Sequence, residues 1–173
     1  LAAGTSEEAI RQAMDFYQPK EYAYPTDGLI FEFNDLDCGR SLGATGHHEN
    51  RIIAFKWPDT RYVTTFNRLE VATTRTGMIS LTGVFDDVVI DGTTVNHAYL
   101  HNLDNFMRLA LGPGDTISVY KANMIIPQIA ENKTKSGACP VPDVCPCCGG
   151  TLVVRQSSGG IRQLYCENEA CPA

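Results

Sequence analysis

The stretch from Thr73 to Ile129 restricts the fold most, because it is a series of β-rich pieces separated by strong turn signals. Met78 to Phe85 is apolar and β-rich, and Asp86-Asp87 is expected to break it. Val88-Val89-Ile90 ends at Asp91-Gly92, the strongest short hairpin signal, and Thr93-Thr94-Val95 resumes on the other side. Leu100 to Leu109 reads as one short helix, with Asn102 as N-cap and Phe106 and Leu109 turned inward. Gly112-Pro113-Gly114-Asp115 then turns the chain into Thr116 to Lys121, where Ile117 and Val119 alternate with polar neighbours. Met124 to Ile129 closes the set, and Pro127 in it predicts an edge or a barrel rim. Four or five strands with one interposed helix suit a small Greek-key barrel of the oligonucleotide-binding kind; a small sandwich has the same pattern.

Charge narrows the function classes. The net charge of the 173 residues is −6, and residues 1–66 hold ten acids against six bases. The basic footprint of a protein that grips nucleic acid by net charge is absent, so any such contact rests on a few placed residues. No run of eighteen apolar residues occurs, which excludes a membrane-spanning helix. The start, Leu1-Ala2-Ala3-Gly4, has neither an initiator Met nor a basic, apolar leader, and reads as a cut inside a longer chain. Of the seven cysteines, Cys38, Cys139 and Cys147 make no obvious pairs, and the expected compartment is a reducing cytoplasm.

Ahead of the β-rich stretch, Thr5 to Tyr17 reads as a surface helix. Thr5 and Glu8 form a capping box, Ile10, Ala13, Met14 and Tyr17 make the apolar stripe, and Pro19 stops it. A turn at Tyr24 to Gly28 leads into the strand Leu29 to Phe33, which is apolar on both faces except at Glu32 and so reads as internal to a sheet. Residues 34–50 are expected as a polar loop, Arg51 to Pro58 as a second strand and Arg61 to Phe66 as a third. Asn67 to Thr74 would join that sheet to the barrel, and residues 131–143 form a linker to the last unit.

That last unit carries the most specific signal. Cys145-x2-Cys148 and Cys166-x4-Cys171 place two thiols on each of two tight loops, with a hairpin between them across Ser157-Ser158-Gly159-Gly160. Four such thiolates can close a tetrahedron around zinc, which soft sulfur favours. Cys147 could replace Cys148, but the shorter bite of C-x-C is rarer, so Cys148 is preferred. Disulfide pairs or free thiols are the alternative use of these residues. With every position filled by protein, the site would be structural.

Together these pieces resemble bacterial NAD-dependent DNA ligases. Tyr24 to Ile30 is similar to that family's Asp-Gly strand, the fourth nucleotidyltransferase motif, and Ile53-Ala54-Phe55-Lys56-Trp57-Pro58 to its fifth. Arg75-Thr76-Gly77, Ala98 to Asn102, Gly114-Asp115 and Ala122 to Gln128 are similar to stretches of its OB-fold domain, and the cysteine motifs to its zinc finger. The resemblance implies a mainly β chain with short helices, in three parts. Residues 1–66 would be the C-terminal part of an adenylation domain, an incomplete nucleotidyltransferase subdomain. Residues 67–135 would be an OB-fold Greek-key barrel and residues 136–173 a small four-cysteine zinc finger. The Lys-x-Asp-Gly motif that takes AMP from NAD does not occur here.

What the resemblance implies for function is nick sealing in duplex DNA through ligase-AMP and DNA-adenylate intermediates. The intact enzyme would use NAD+ and Mg2+, hold a structural Zn2+, and act on nicked double-stranded DNA as a monomer. Lys56 would stand beside the AMP phosphate as the catalytic cation. Glu32 would share that nucleotide site, where the family usually has a lysine; if both face one site they should pair. His47, His48 or Arg40 could then supply a substitute cation. Arg75 and Lys121 are the expected DNA contacts, with Lys133 and Lys135 as further phosphate candidates, and Cys145, Cys148, Cys166 and Cys171 the metal ligands. His97, His101 and Asn102 are as compatible with packing and capping as with DNA. The competing class is a free-standing nucleic-acid-binding OB-fold and zinc-ribbon module without catalysis, which would have no use for nucleotidyltransferase strands.

Overall fold

The computed structural model describes residues 4, 6–17, 23–24 and 26–173. They divide into two compact units, Leu1–Pro58 and Asp59–Ala173.

In the first unit, helix α1 (Glu7–Phe16) begins at Ser6, whose hydroxyl accepts the Ala9 amide at 3.2 Å. Thr5 of the expected capping box lies outside the described residues, as do Pro19 and Pro25. Strand β1 (Gly28–Glu32) is followed by helix α2 (Leu36–Ser41), β2 (Ala44–Thr45), β3 (His48–Glu49) and β4 (Ile52–Lys56). Residues 34–50 therefore carry structure where a loop is expected. Asp35 caps α2 by accepting the Asp37 and Cys38 amides, and Gly43 at φ 72° turns the chain out of it. β1 and β4 pair antiparallel from Gly28↔Lys56 to Glu32↔Ile52. The expectation that this strand is internal to a sheet does not hold within the described residues: the ladder has two strands, and Ile30 is 72% exposed.

The second unit holds a five-stranded sheet: β5 (Tyr62–Thr73), β6 (Ile79–Ile90), β7 (Thr93–Tyr99), β8 (Thr116–Ala122) and β9 (Ile126–Asn132). Helix α3 (Leu103–Leu109) lies between β7 and β8 in the chain. The order β7-β6-β5-β8-β9, antiparallel throughout, brings β7 and β9 together and closes the Greek-key barrel expected from sequence. Asp91 (φ 49°) and Gly92 (φ 74°) make the two-residue turn between β6 and β7, and Asn102 caps α3 by accepting the Asn105 amide at 2.8 Å. Phe106 and Leu109 face inward as the periodicity requires, and Pro127 lies on β9 at the end of the strand order.

Two strand assignments differ from expectation, both because a bulge lets a strand continue through residues that look like its end. Residues 61–66 are not a third strand of the first sheet, and Asn67 to Thr74 is not a connector. They form the single strand β5, whose first half pairs with β8 (Tyr62↔Val119 to Thr65↔Thr116) and whose second half pairs with β6. The bend comes between Phe66 and Arg68, where Phe66 is fully buried and its backbone bonds Asp115 and Gly114 at 2.8 Å each. Likewise Asp86-Asp87 does not end a strand. The register of β6 on β7 passes from Val84↔His97 to Val88↔Val95, so two extra residues are accommodated in β6. Their polar groups stay satisfied: the Asp86 carbonyl accepts the Thr64 hydroxyl, and the two carboxylates accept Asn67 and Asn96 amides.

Phe66, Phe85, Leu100, Ile117 and Val119 fill the barrel, each contributing about 1.5–3 kcal/mol of apolar burial. Gly83 faces this interior so closely that a Cβ there would lie 2.9 Å from Ile129 and 3.3 Å from the Phe66 ring.

The expected linker 131–143 is held down over its first half. Lys133, Gly137 and Cys139 donate backbone bonds to Thr116, Ala110 and Leu111 at 2.8, 2.9 and 2.8 Å. Buried Asn132 donates to Asp115 at 2.7 Å and to the Ala110 carbonyl at 3.0 Å, and its side-chain carbonyl accepts the Thr134 and Lys135 amides. Asp115 also accepts the amides of Gly112 and Ser136. Burial pushes its carboxyl up, but the bonds from Asn132, Ser136 and Gly112 outweigh that and hold it below the usual value of 3.8. After this knot the chain reaches the hairpin β10 (Leu152–Gln156) and β11 (Arg162–Cys166).

Candidate functional site

The cysteine loops are shaped by their own backbone. Gly149 (φ 71°) donates to the Cys145 carbonyl at 2.9 Å, and the Cys145 amide donates to Gly150 at 2.8 Å. The left-handed turn at Gly149 is what brings Cys148 back beside Cys145. On the other loop Cys171 donates to the Asn168 carbonyl at 3.0 Å. The result is a cluster of Cys145, Cys148, Cys166 and Cys171 with all four sulfurs within 4.8 Å of one another. Cys145 and Cys171 sulfurs are 3.9 Å apart, and those of Cys148 and Cys166 are 3.5 Å apart. A tetrahedral metal with thiolates at about 2.3 Å requires edges of about 3.8 Å, so the four residues fit a metal ion. Cys147 is exposed and outside the cluster, as are Cys38 and the half-buried Cys139.

The four thiols do not ionise alike. A hydroxyl bond from Thr73, helped by the Cys148 and Cys147 amides, lowers Cys145 to about 6. Asn168 and the Gly150 amide lower Cys148. Burial raises Cys166. The Ala173 backbone lowers Cys171, but burial and the adjoining sulfurs of Cys148, Cys145 and Cys166 outweigh it and push Cys171 up to about 12. Ionisation at Cys145 and Cys148 is thus favoured and at Cys166 and Cys171 opposed, a conflict that a divalent cation at the centre would remove.

Thr73 was not legible as part of this site. Its hydroxyl oxygen is 3.1 Å from the Cys145 sulfur, although 72 residues separate them. No cysteine spacing could reveal it, because the contact depends on where β5 ends. The cluster is also joined to the barrel by Cys166, whose amide donates to the Gly77 carbonyl at 2.9 Å, and by an antiparallel bridge between Met78 and Tyr165. Arg162 binds Asp104 of α3 through its backbone amide at 2.8 Å and its guanidinium at 2.6 Å, and Gln163 donates to the His101 carbonyl at 2.9 Å.

The remaining residues singled out by sequence fall in separate places. Arg75 is exposed on the turn between β5 and β6, which Gly77 (φ 76°) closes by donating to Thr74 at 2.8 Å. Lys121 is half-buried, with its ammonium donating to the Ile90 carbonyl at 2.9 Å. Lys133 and Lys135 are exposed. His101 sits at φ 64°, Asn102 is the helix cap, and His97 bonds Asn96 at 3.0 Å.

In the first unit, Glu32 and Lys56 share one face of the β1–β4 ladder but stand at opposite ends of it. Four residues of strand put them about 13 Å apart. The expected pairing between them is therefore not made. Lys56 instead lies 3.2 Å from Asp27, while Glu32 joins Arg51, which also bonds Glu49. These two carboxylates hold the Arg51 guanidinium above its ordinary value, Glu49 more strongly than Glu32. Of the proposed substitutes, Arg40 lies 3.4 Å from Asp37, and His47 and His48 are exposed on the β2–β3 hairpin.

Residues 63–138 match the model of the NAD-dependent DNA ligase OB-fold domain family, a span that begins inside β5 and ends on the segment latched by Asn132. Similarity extends on both sides. A DNA ligase of Lachnoclostridium phytofermentans is 44% identical over 168 residues, which is 96% of this chain and 26% of that protein. One of Ruminiclostridium cellulolyticum is 47% identical over 150 residues, 87% of this chain and 23% of that protein. A third, of Lactiplantibacillus plantarum, is 38% identical over 92% of the chain. The chain spans about a quarter of the length of these relatives.

Proposed function

Because the chain belongs to the NAD-dependent DNA ligase family, we propose that it is the part of a nick-sealing enzyme that holds DNA and borders the nucleotide pocket. The observation that carries this reading is the continuity of similarity over 96% of the chain. It takes in the β1–β4 ladder and the cysteine cluster as well as the barrel, so a DNA-binding barrel alone does not account for it.

In this reading Lys56, on the last residue of β4, meets the phosphate of AMP, with Asp27 orienting its ammonium. Phosphoryl transfer needs fixed positive charge more than acid–base groups, and NAD+ and Mg2+ supply the nucleotide and the further cationic charge when bound. Glu32 lies too far along the ladder to touch the same phosphate. It serves to hold Arg51 instead. Arg75 neutralises a DNA phosphate from the exposed turn, and Lys121, tied to Ile90, supports the barrel rim more than the DNA. The four cysteines bind Zn2+ structurally, as an all-thiolate tetrahedron favours. Nicked duplex DNA is the partner.

The deciding experiment is the adenylation rate of the whole ligase. Lys56→Ala is expected to lower it by about 10²–10³, the usual cost of one preorganised charge donor, while Glu32→Ala acts mildly. A Lys56→Ala enzyme within a few-fold of wild type would remove Lys56 from the nucleotide site. The chain by itself, given NAD+ and Mg2+, should gain no AMP in mass spectrometry, because no Lys-x-Asp-Gly motif occurs in it. Arg75→Ala should weaken nick binding and reduce the slope of log affinity against log salt by about one.

A further inference from the structure

The turn that carries Arg75 is seated at both ends on the cysteine cluster. At its entrance, the Thr73 hydroxyl lies 3.1 Å from the Cys145 sulfur. At its exit, the Gly77 carbonyl accepts the Cys166 amide at 2.9 Å, and Met78 forms the bridge to Tyr165. Between these anchors the turn is closed on itself: Thr74 and Met78 bond through the backbone at 2.8 Å and through the Thr74 hydroxyl at 2.9 Å. Arg75 and Thr76 are therefore the exposed tip of a loop whose two ends rest on two of the four cysteines, one at its sulfur and one at its backbone amide.

We propose that Thr73 is a positioning residue of the metal centre, and that metal loading fixes the β5–β6 turn and with it the exposed Arg75. A metal-bound thiolate has no proton to donate, so the hydroxyl must be the donor in the Thr73–Cys145 bond. Such outer-shell donors orient the ligand and draw charge from the sulfur. Without the metal, Cys145 and Cys166 lose the ion that fixes their loops, and the turn loses both anchors together. The proposal rests on the four cysteines holding a metal.

Cobalt(II) substitution in the full chain tests it, since thiolate-to-cobalt charge transfer reports the electron density on sulfur. Thr73→Val, which keeps the β-branched shape, should move that band to lower energy and release the metal to a chromophoric chelator about tenfold faster. Thr73→Ser, which restores a hydroxyl, should return both to wild type. Hydrogen exchange of the wild-type chain should show the amides of Gly77 and Cys166 losing protection when the metal is stripped, while Ile117 and Val119 keep theirs. An unchanged band and release rate in Thr73→Val would overturn the role of Thr73, and unchanged protection at Gly77 would overturn the coupling to the turn. A wild-type chain that takes up no cobalt would instead overturn the metal centre itself, and this proposal with it.

Discussion

Two antiparallel ladders of this chain use the same kinds of side chain to different ends. β5–β6 buries Phe66, Ile79, Leu81 and Phe85, each at 4% exposure or less. β1–β4 leaves Ile30 72% and Ile53 63% exposed, and among the described residues no apolar side chain before Phe66 is buried. Pairing alone therefore does not make a core. The β5–β6 ladder acquires one because β5 also pairs with β8, the sheet closes on itself, and α3 supplies Leu103, Phe106 and Leu109. A two-stranded ladder has no second layer to exclude water and is marginal by itself.

Metal removal should produce the largest difference between regions. With zinc in the cysteine cluster as proposed, on the order of 10–16 kcal/mol of binding is coupled to folding, so a chelator should unfold residues 140–173 while the barrel keeps its exchange protection. A protected Cys145–Cys171 segment in stripped protein would show that the hairpin stands on its own packing.

Core truncation sharpens the contrast between the ladders. Phe66→Ala should cost about 3–5 kcal/mol in denaturant unfolding of the chain, because it leaves a cavity where the strand bends. Ile53→Ala, on the exposed ladder, should change the same transition by under about 0.5 kcal/mol. Equal costs would mean that the ladder shares the barrel's cooperative unit.

Acid should act on the barrel through Asp115. Its carboxyl titrates below 3.8 when folded, so its contribution is present above the unfolded value and is lost as pH falls through the folded one. Asp115→Asn should be less stable at neutral pH and flatter in its stability below about pH 4. A parallel pH dependence for both proteins would assign acid sensitivity to other carboxylates.

The smallest effect is expected at the latch between Asp104 and Arg162. The Arg162 amide and guanidinium hold the Asp104 carboxyl below its usual range, but both side chains are still open to water, at 45% and 40% exposure. Asp104→Asn should change stability slightly at low salt and not at high salt. A salt-independent loss would make the latch part of the barrel's folding.

The features legible in the sequence were those that a few neighbouring residues decide. Asp91-Gly92 could only be a tight turn, Asn102 had the open amides of a helix start to satisfy, and the spacing of Cys145, Cys148, Cys166 and Cys171 fixed two bites of one tetrahedron. Illegible were the features made by residues far apart in the chain. Asp86-Asp87 looks like a strand break until Thr64, Asn67 and Asn96 arrive to satisfy it. Residues 132–139 look like a linker until Asn132 and Asp115 tie them to the loop at Gly112.

By itself the sequence determined the Asp91-Gly92 turn, the Asn102 cap and the thiol loops, because backbone preference and short-range hydrogen bonding act within a few residues. Only the tertiary structure decided which strands are continuous and which polar groups meet. Bulges, buried hydrogen bonds and the reach of Thr73 to Cys145 depend on register, and register is set only when the barrel closes around Phe66. The same rule separates Glu32 from Lys56: each is readable as a charge on a strand, but the antiparallel register alone puts them at opposite ends of it.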